Sequence, residues 1–188
     1  MNIVVLNGSI VGSNTKVAME KVVEMFTETE EDVTVTFLDL ANYDLQFSDG
    51  RNFIHYHGDT KYVAETIMQA NALVIGTPVF QASIPGTLKN IFDLLPVDAF
   101  RDKVVSIVTT AGSSKHYLIV EQQLKPILSY MKAYIVPTYV FIEEENILRQ
   151  EIINDDIIFR LERLVEDTLM MIDVQQRIRE KEEAKYDF

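Results

Sequence analysis

Short continuous apolar runs alternate along this chain with apolar residues spaced three and four apart. Ile3-Val4-Val5-Leu6 is a β-branched-rich run that predicts a buried strand. Ala18, Val22, Met25 and Phe26 follow on one helical face. Val33, Val35 and Phe37 alternate with threonine, the pattern of a strand half-buried or near a sheet edge. Residues 59–70 read as a helix with Asp59 or Thr60 as its N-cap. Leu73-Val74-Ile75 predicts a third strand and Val104 to Val108 a fourth. A fifth, Ile135-Val136 with Val140-Phe141-Ile142, is interrupted near Pro137. Leu88, Ile91 and Leu95 lie at helical spacing, as do Val120, Leu124, Ile127 and Met131, where Pro126 is expected to kink the helix. Ile157, Leu161, Leu164, Leu169 and Ile172 mark a long closing helix from about residue 154.

Strands that read as unbroken apolar runs and alternate with helices imply an α/β protein with a parallel sheet covered on both faces. Five strands favour a three-layer sandwich of flavodoxin-like order 2-1-3-4-5 over a larger Rossmann sheet. The 188 residues are expected to form a single such domain. Residues 41–58 carry no period and form the longest excursion, and loops of that length are usually functional or mobile. The charged tail QQRIREKEEAKYDF reads as a frayed helix end.

Composition narrows the chemistry. With 17 basic and 29 acidic residues the net charge is −12, which argues against nucleic acid and anionic membranes as partners. The chain contains no cysteine, so disulfides, thiolate metal sites and a cysteine nucleophile are excluded. No long apolar run or basic-then-apolar leader is visible, and a cytoplasmic location is expected. His55 and His57 are too few ligands for a metal centre. Glu143-Glu144-Glu145 reads as a solvated turn.

In an open parallel sheet, ligands bind beyond the carboxyl ends of the strands where the strand order reverses, here after strands 1, 3 and 4. The first of those loops, NGSIVGSNTKVA, carries Gly8 and Gly12 for tight turning and Ser9, Ser13, Asn14 and Thr15 as uncharged donors ahead of a helix N-terminus. That arrangement suits a phosphate without lysine or arginine. It fits neither a dinucleotide fingerprint nor a Walker loop, so a monophosphate suits it better. The second loop offers Thr77, Pro78, Val79, Phe80, Gln81 and Ser83, with Phe80 as an aromatic wall and backbone N–H groups from Val79 to Gln81 for polar ring edges. The third, TTAGSSKHY, offers Thr110, Ala111, Gly112, Ser113, Ser114 and His116. A phosphate end, a polyol passage and a flat platform are the three parts of flavin mononucleotide, although spacing alone leaves other nucleotides open.

GTPVFQASIPGTLKNIFDLLP resembles a segment of the NADPH-dependent FMN reductases through Thr77, Pro78, Phe80, Ser83, Pro85, Gly86, Leu88, Lys89, Asn90 and Asp93. KVVSIVTTAGSSKHYLIVEQQLKPILSYMKA is similar to the alkanesulfonate-linked members, including His116 and Leu124-Lys125-Pro126. With Gly8-Ser9, the resemblance covers residues 1 to about 142. It implies FMN bound at the three loops, hydride supplied by NAD(P)H, a small-molecule electron acceptor and a homodimer or homotetramer. Carried over, Ser9, Ser13 and Thr15 match the phosphate loop, Thr77, Pro78, Phe80 and Gln81 the second flavin loop, and Ala111, Gly112 and Ser113 the third. No catalytic side chain is implied, because the cofactor carries the hydride.

Two positions depart from the family. Gly8-Ser9-Ile10-Val11 lacks the arginine of the usual phosphate loop, which leaves the choice between NADH and NADPH open. Gln122 stands where sulfonate-linked members carry a tyrosine associated with exchangeable flavin, which points to FMN retained as a prosthetic group. Quinone, azo, nitro and flavin acceptors all remain open. The competing expectation is a flavodoxin-type electron carrier that does not itself oxidise nicotinamide.

Overall fold

The computed structural model of the protein describes residues 1–29 and 32–185. The first apolar run forms β1 (Asn2–Asn7), followed by α1 (Asn14–Thr27) and the edge strand β2 (Thr34–Asp39). After the excursion come α2 (Gly58–Gln69), β3 (Ala72–Pro78) and α3 (Gly86–Leu94). Then follow β4 (Val104–Ala111), α4 (Lys125–Tyr130), β5 (Tyr134–Ile135) and β6 (Val140–Glu143). A hairpin, β7 (Ile147–Leu148) with β8 (Glu151–Ile152), leads into α5 (Asp155–Glu183).

The main sheet is parallel in the order β2-β1-β3-β4-β5, and β6 also pairs with β4. This is the flavodoxin-like order expected from the runs. The fifth position is shared by two short pieces because Pro137 cannot donate to the ladder. β5 pairs with Val104-Val105 of β4, whereas β6 takes up the pairing again from Val108 to Ala111. Every residue of β3 and β4 is buried, as a strand covered on both faces requires. One face packs α1 and α5 through Ala18, Val22, Phe26, Leu161 and Ile172. The opposite face packs α2, α3 and α4 through Ile67, Leu88, Ile91 and Leu128. A buried 2.5 Å hydrogen bond between Ser106 and Thr168 ties α5 to β4.

Several local expectations are corrected. α2 starts at Gly58 with His57 as its N-cap, two and three residues ahead of the expected caps Asp59 and Thr60. The expected caps are used elsewhere: the Asp59 carboxylate accepts the Asp44 N–H at 2.8 Å, and the Thr60 hydroxyl accepts the Gln46 N–H at 2.9 Å. Pro126 lies in the first turn of α4, where a missing N–H costs little. The irregularity lies before it, in a π-wound turn at Val120–Leu124 closed by the Lys125 N–H on the Val120 carbonyl. A proline removes the next N–H donor and crowds the carbonyl four residues back, so the widened turn accommodates it. The aperiodic excursion contains two short 3-10 turns, Leu40–Asn42 and Phe53–His55. The charged tail is regular helix through Glu183, and residues 186–188 lie outside the described residues.

Candidate functional site

Strand register brings the three loops to one rim. Asn7 pairs across with Gly76, Thr77 with Thr109 and Pro78 with Thr110, so β1, β3 and β4 end side by side. Three hydrogen bonds join what leaves them. The Gly8 N–H donates to the Gly76 carbonyl at 2.8 Å, and the Val79 N–H to the Thr110 carbonyl at 3.0 Å. The Thr15 and Thr110 hydroxyls share a buried bond of 2.6 Å. Gly8 makes the first approach possible: a Cβ there would stand 2.8 Å from the Gly76 oxygen and 3.2 Å from the Leu88 side chain.

The first loop turns upward at Gly12, whose φ of +81° favours glycine. Ser9 is buried; its hydroxyl donates to the Val11 carbonyl at 2.6 Å and its N–H to Asn7 Oδ1 at 3.2 Å. It shapes the loop more than it offers a free donor. Ser13 is the N-cap of α1, yet its side chain makes no capping bond. The first turn of this 14-residue helix, Asn14, Thr15 and Lys16, therefore presents N–H donors with no side chain closing them off. Val11, at the expected arginine position, is exposed.

The second loop is a two-residue turn in which Phe80 and Ser83 exchange both backbone bonds at 2.9 Å. Its central residues, Gln81 and Ala82, have φ of 47° and 58°, the left-handed region that glycine and asparagine usually fill. Phe80 projects outward, 40% exposed. The expectation that N–H groups from Val79 to Gln81 serve a ligand is corrected. Val79 and Phe80 spend theirs on Thr110 and Ser83, which leaves the Gln81 N–H at the tip. Thr77 is fully buried with its hydroxyl on the Pro78 carbonyl at 3.0 Å, so it frames the loop from inside, and Pro78 is buried beside it.

In the third loop Thr110 and Ala111 are buried, Gly112 is exposed, and Ser113 caps the 3-10 turn Ser114–His116 without using its hydroxyl. His116 is half-buried at the end of that turn. Asn14 is half-buried and Ser13 exposed on the facing loop.

Sequence reasoning missed the roles of three groups at or near this rim. Tyr117 stacks 5.3 Å from Tyr139 and 5.5 Å from Phe141, and the Tyr139 hydroxyl donates to the Tyr117 carbonyl at 2.7 Å. Burial, and then Tyr117, push the Tyr139 phenol well above its ordinary range. Lys16 stands 3.0 Å from Asp39, which is 2% exposed at the end of β2. Burial raises the Asp39 carboxyl, but the adjacent Lys16 ammonium and the hydrogen bonds from Asn7 and the Ala41 N–H outweigh it and hold it below the usual carboxylate range. The legible signal was a cation in a helix first turn, where the dipole opposes it. The third group is Asn90, whose side chain donates to the Gln46 carbonyl and accepts the Ser48 N–H, both at 2.9 Å, pinning the excursion to α3. Two open concavities, of about 470 and 480 Å³, flank α3 away from the first and third loops, one beneath exposed Phe47 and the other beside Val97 and Tyr130.

The sequence profile of the NADPH-dependent FMN reductases matches residues 1–146. This chain belongs to that family. An NAD(P)H-dependent FAD/FMN reductase of Geobacillus thermodenitrificans is 36% identical over 172 residues, covering 91% of this chain and 93% of the relative. Among solved structures, an NADH:FMN oxidoreductase in its apo form superposes with a TM-score of 0.76 at 22% identity, covering 90% of this chain and 89% of the other. An oxidised flavodoxin of Bacillus cereus superposes at 0.64 with 12% identity over 90% and 98% of the two chains. At such identities these superpositions show the shared fold, which reductases and electron carriers hold in common. The reductase match extends through all three loops and ends at residue 146, ahead of the β7–β8 hairpin and α5. Among the described residues of this family member, no three His, Asp or Glu side chains cluster as a metal site, and no helix is long and apolar enough to cross a membrane.

Proposed function

We propose that this reductase-family chain binds FMN at the rim formed by its three loops and uses NAD(P)H to reduce a small-molecule acceptor of the quinone, azo, nitro or flavin class. The observation that carries the reading is the cross-linking of the three loops through Gly8–Gly76, Val79–Thr110 and Thr15–Thr110. Loops far apart in sequence are thereby held as one surface, as a ligand with three chemically different parts requires.

The residues present fit the group. The open first turn of α1, with Ser13 and Asn14, offers uncharged donors and the positive end of a dipole to a phosphate. Ser9, Thr15, Thr77 and Thr110 hold the backbone that presents those donors. Phe80 and the Gln81 N–H would meet the ring system from one side, and Gly112, Ser113 and His116 from the other. When bound, FMN would supply the redox chemistry, namely hydride acceptance from a reduced nicotinamide and electron delivery to the acceptor. The protein's share is to position the two rings, exclude water and offer hydrogen bonds to developing negative charge. No side chain needs to move a proton for the hydride step, because the hydride passes between the two cofactors.

Exposed Phe47, Val97 and Tyr130 beside α3 support assembly as a homodimer or homotetramer, which light scattering on the purified protein measures. The activity itself is tested by mixing FMN-loaded protein anaerobically with NADH or NADPH and following the visible flavin band. Rapid bleaching without an auxiliary reductase is expected. A flavin that binds but is not bleached by either nucleotide would assign the chain to electron carriage instead.

A further inference from the structure

Lys16 occupies the first turn of α1, where the helix dipole disfavours a cation. Its ammonium reaches across to the end of β2 and stands 3.0 Å from Asp39 Oδ2 and 4.0 Å from Glu20. Asp39 is only 2% exposed. Its Oδ1 accepts the Asn7 side-chain amide at 2.8 Å and the Ala41 N–H at 3.2 Å. Its Oδ2 is buried and accepts no hydrogen bond of good geometry, so what compensates that oxygen is the lysine charge.

The carboxylate has an organising role. Through Ala41 it caps the 3-10 turn that opens the excursion. Through Asn7 it reaches the first loop, because the same amide also donates to the Ser9 carbonyl and accepts the Ser9 N–H, both at 3.2 Å. Asp39 therefore lies two hydrogen bonds from the loop assigned to the phosphate. A carboxylate buried at that range repels an arriving anion.

Resting on the functional reading above, we infer that Lys16 is a positioning residue for the flavin phosphate, which it serves by cancelling the charge of Asp39 and not by touching the phosphate. The chain thus keeps the carboxylate that organises β1, β2 and the first loop, and removes its electrostatic cost to the ligand.

Equilibrium titrations with FMN and with riboflavin, which lacks the phosphate, test the inference. Lys16→Met is expected to weaken FMN binding roughly tenfold. Riboflavin binding to that variant should stay within about twofold of wild type, since no anion is involved. Asp39→Asn keeps the Oδ1 acceptor and should bind FMN as tightly as wild type or more so. The double variant Lys16→Met/Asp39→Asn should recover to within about twofold of wild type, the non-additivity of a coupled pair. Lys16→Arg should bind like wild type. A double variant as weak as Lys16→Met would mean that the lysine touches the phosphate, and would overturn the inference. Equal losses for FMN and riboflavin would reduce Lys16 to a structural role and overturn it as well. A wild-type protein that binds neither ligand would instead overturn the functional reading on which it rests.

Discussion

At the scale of single residues, the chain places its costly groups where something compensates them. Lys103, at the start of β4, is 8% exposed, and its ammonium donates to the carbonyls of Ile67, Met68 and Ala70 at 3.0, 2.5 and 2.8 Å. These carbonyls lie at the end of α2, where helical donors run out and Ile67 keeps only a 3.3 Å bond from the Ala70 N–H, so a side chain from another element closes the helix. Burial lowers the Lys103 ammonium from 10.5 to about 8. Above that value the folded chain has released a proton that the unfolded chain still binds, so stability attributable to this group rises with pH up to the unfolded value. The stability advantage of wild type over Lys103→Met, measured by urea unfolding, should therefore grow between pH 8 and 10.5 by up to about 3 kcal/mol. A flat difference across that window would contradict the burial argument. Residues with a local signal were legible in the sequence: Gly8, Ser13 and Phe80 could be picked from loop composition. The partners of Lys16, Asp39 and Asn90 were not legible, because each lies on another element and spacing along the chain carries no trace of the pairing.

At the scale of elements, the second loop stores strain in plain view. Two consecutive non-glycine residues at positive φ cost roughly 1–2 kcal/mol each. The mirror-image turn they build suits Asn-Gly. Replacing Gln81-Ala82 with Asn-Gly should raise unfolding free energy by about 1 kcal/mol, after allowing for the entropy glycine adds to the unfolded chain. Denaturant unfolding without ligand checks this; a loss of stability would show that the turn is relaxed. The excursion offers the opposite case. Its hydrogen bonds to Asn90, Asp59 and Thr60 make it a built segment, although its sequence has no period. Removing both amide bonds in Asn90→Ala should cost about 2 kcal/mol and expose residues 43–52 to proteolysis ahead of global unfolding. Cleavage no faster than in wild type would contradict the pinning. Element boundaries slipped for a related reason: the polar residues that looked like caps of α2 were committed to the excursion instead.

At the scale of the whole molecule, strand order was the most legible property. Five apolar runs and right-handed crossovers leave few arrangements, and the observed order β2-β1-β3-β4-β5 is the one they favour. The rim follows from that order, since the loops after β1, β3 and β4 end together at the point where the connection reverses. Which donors on the rim are free was illegible, because Ser9, Thr77 and Thr110 read as donors and the fold spends their hydroxyls internally. With a net charge of −12 and a phosphate proposed to meet backbone amides instead of a basic field, FMN binding should depend only weakly on salt. The most direct measurement is a titration of isotope-labelled protein with FMN, followed by backbone amide chemical shifts. Residues 8–16, 79–83 and 110–116 should shift together along one saturating curve. Shifts confined to the concavities beside α3, or separate curves for the three loops, would contradict a single flavin site at the rim.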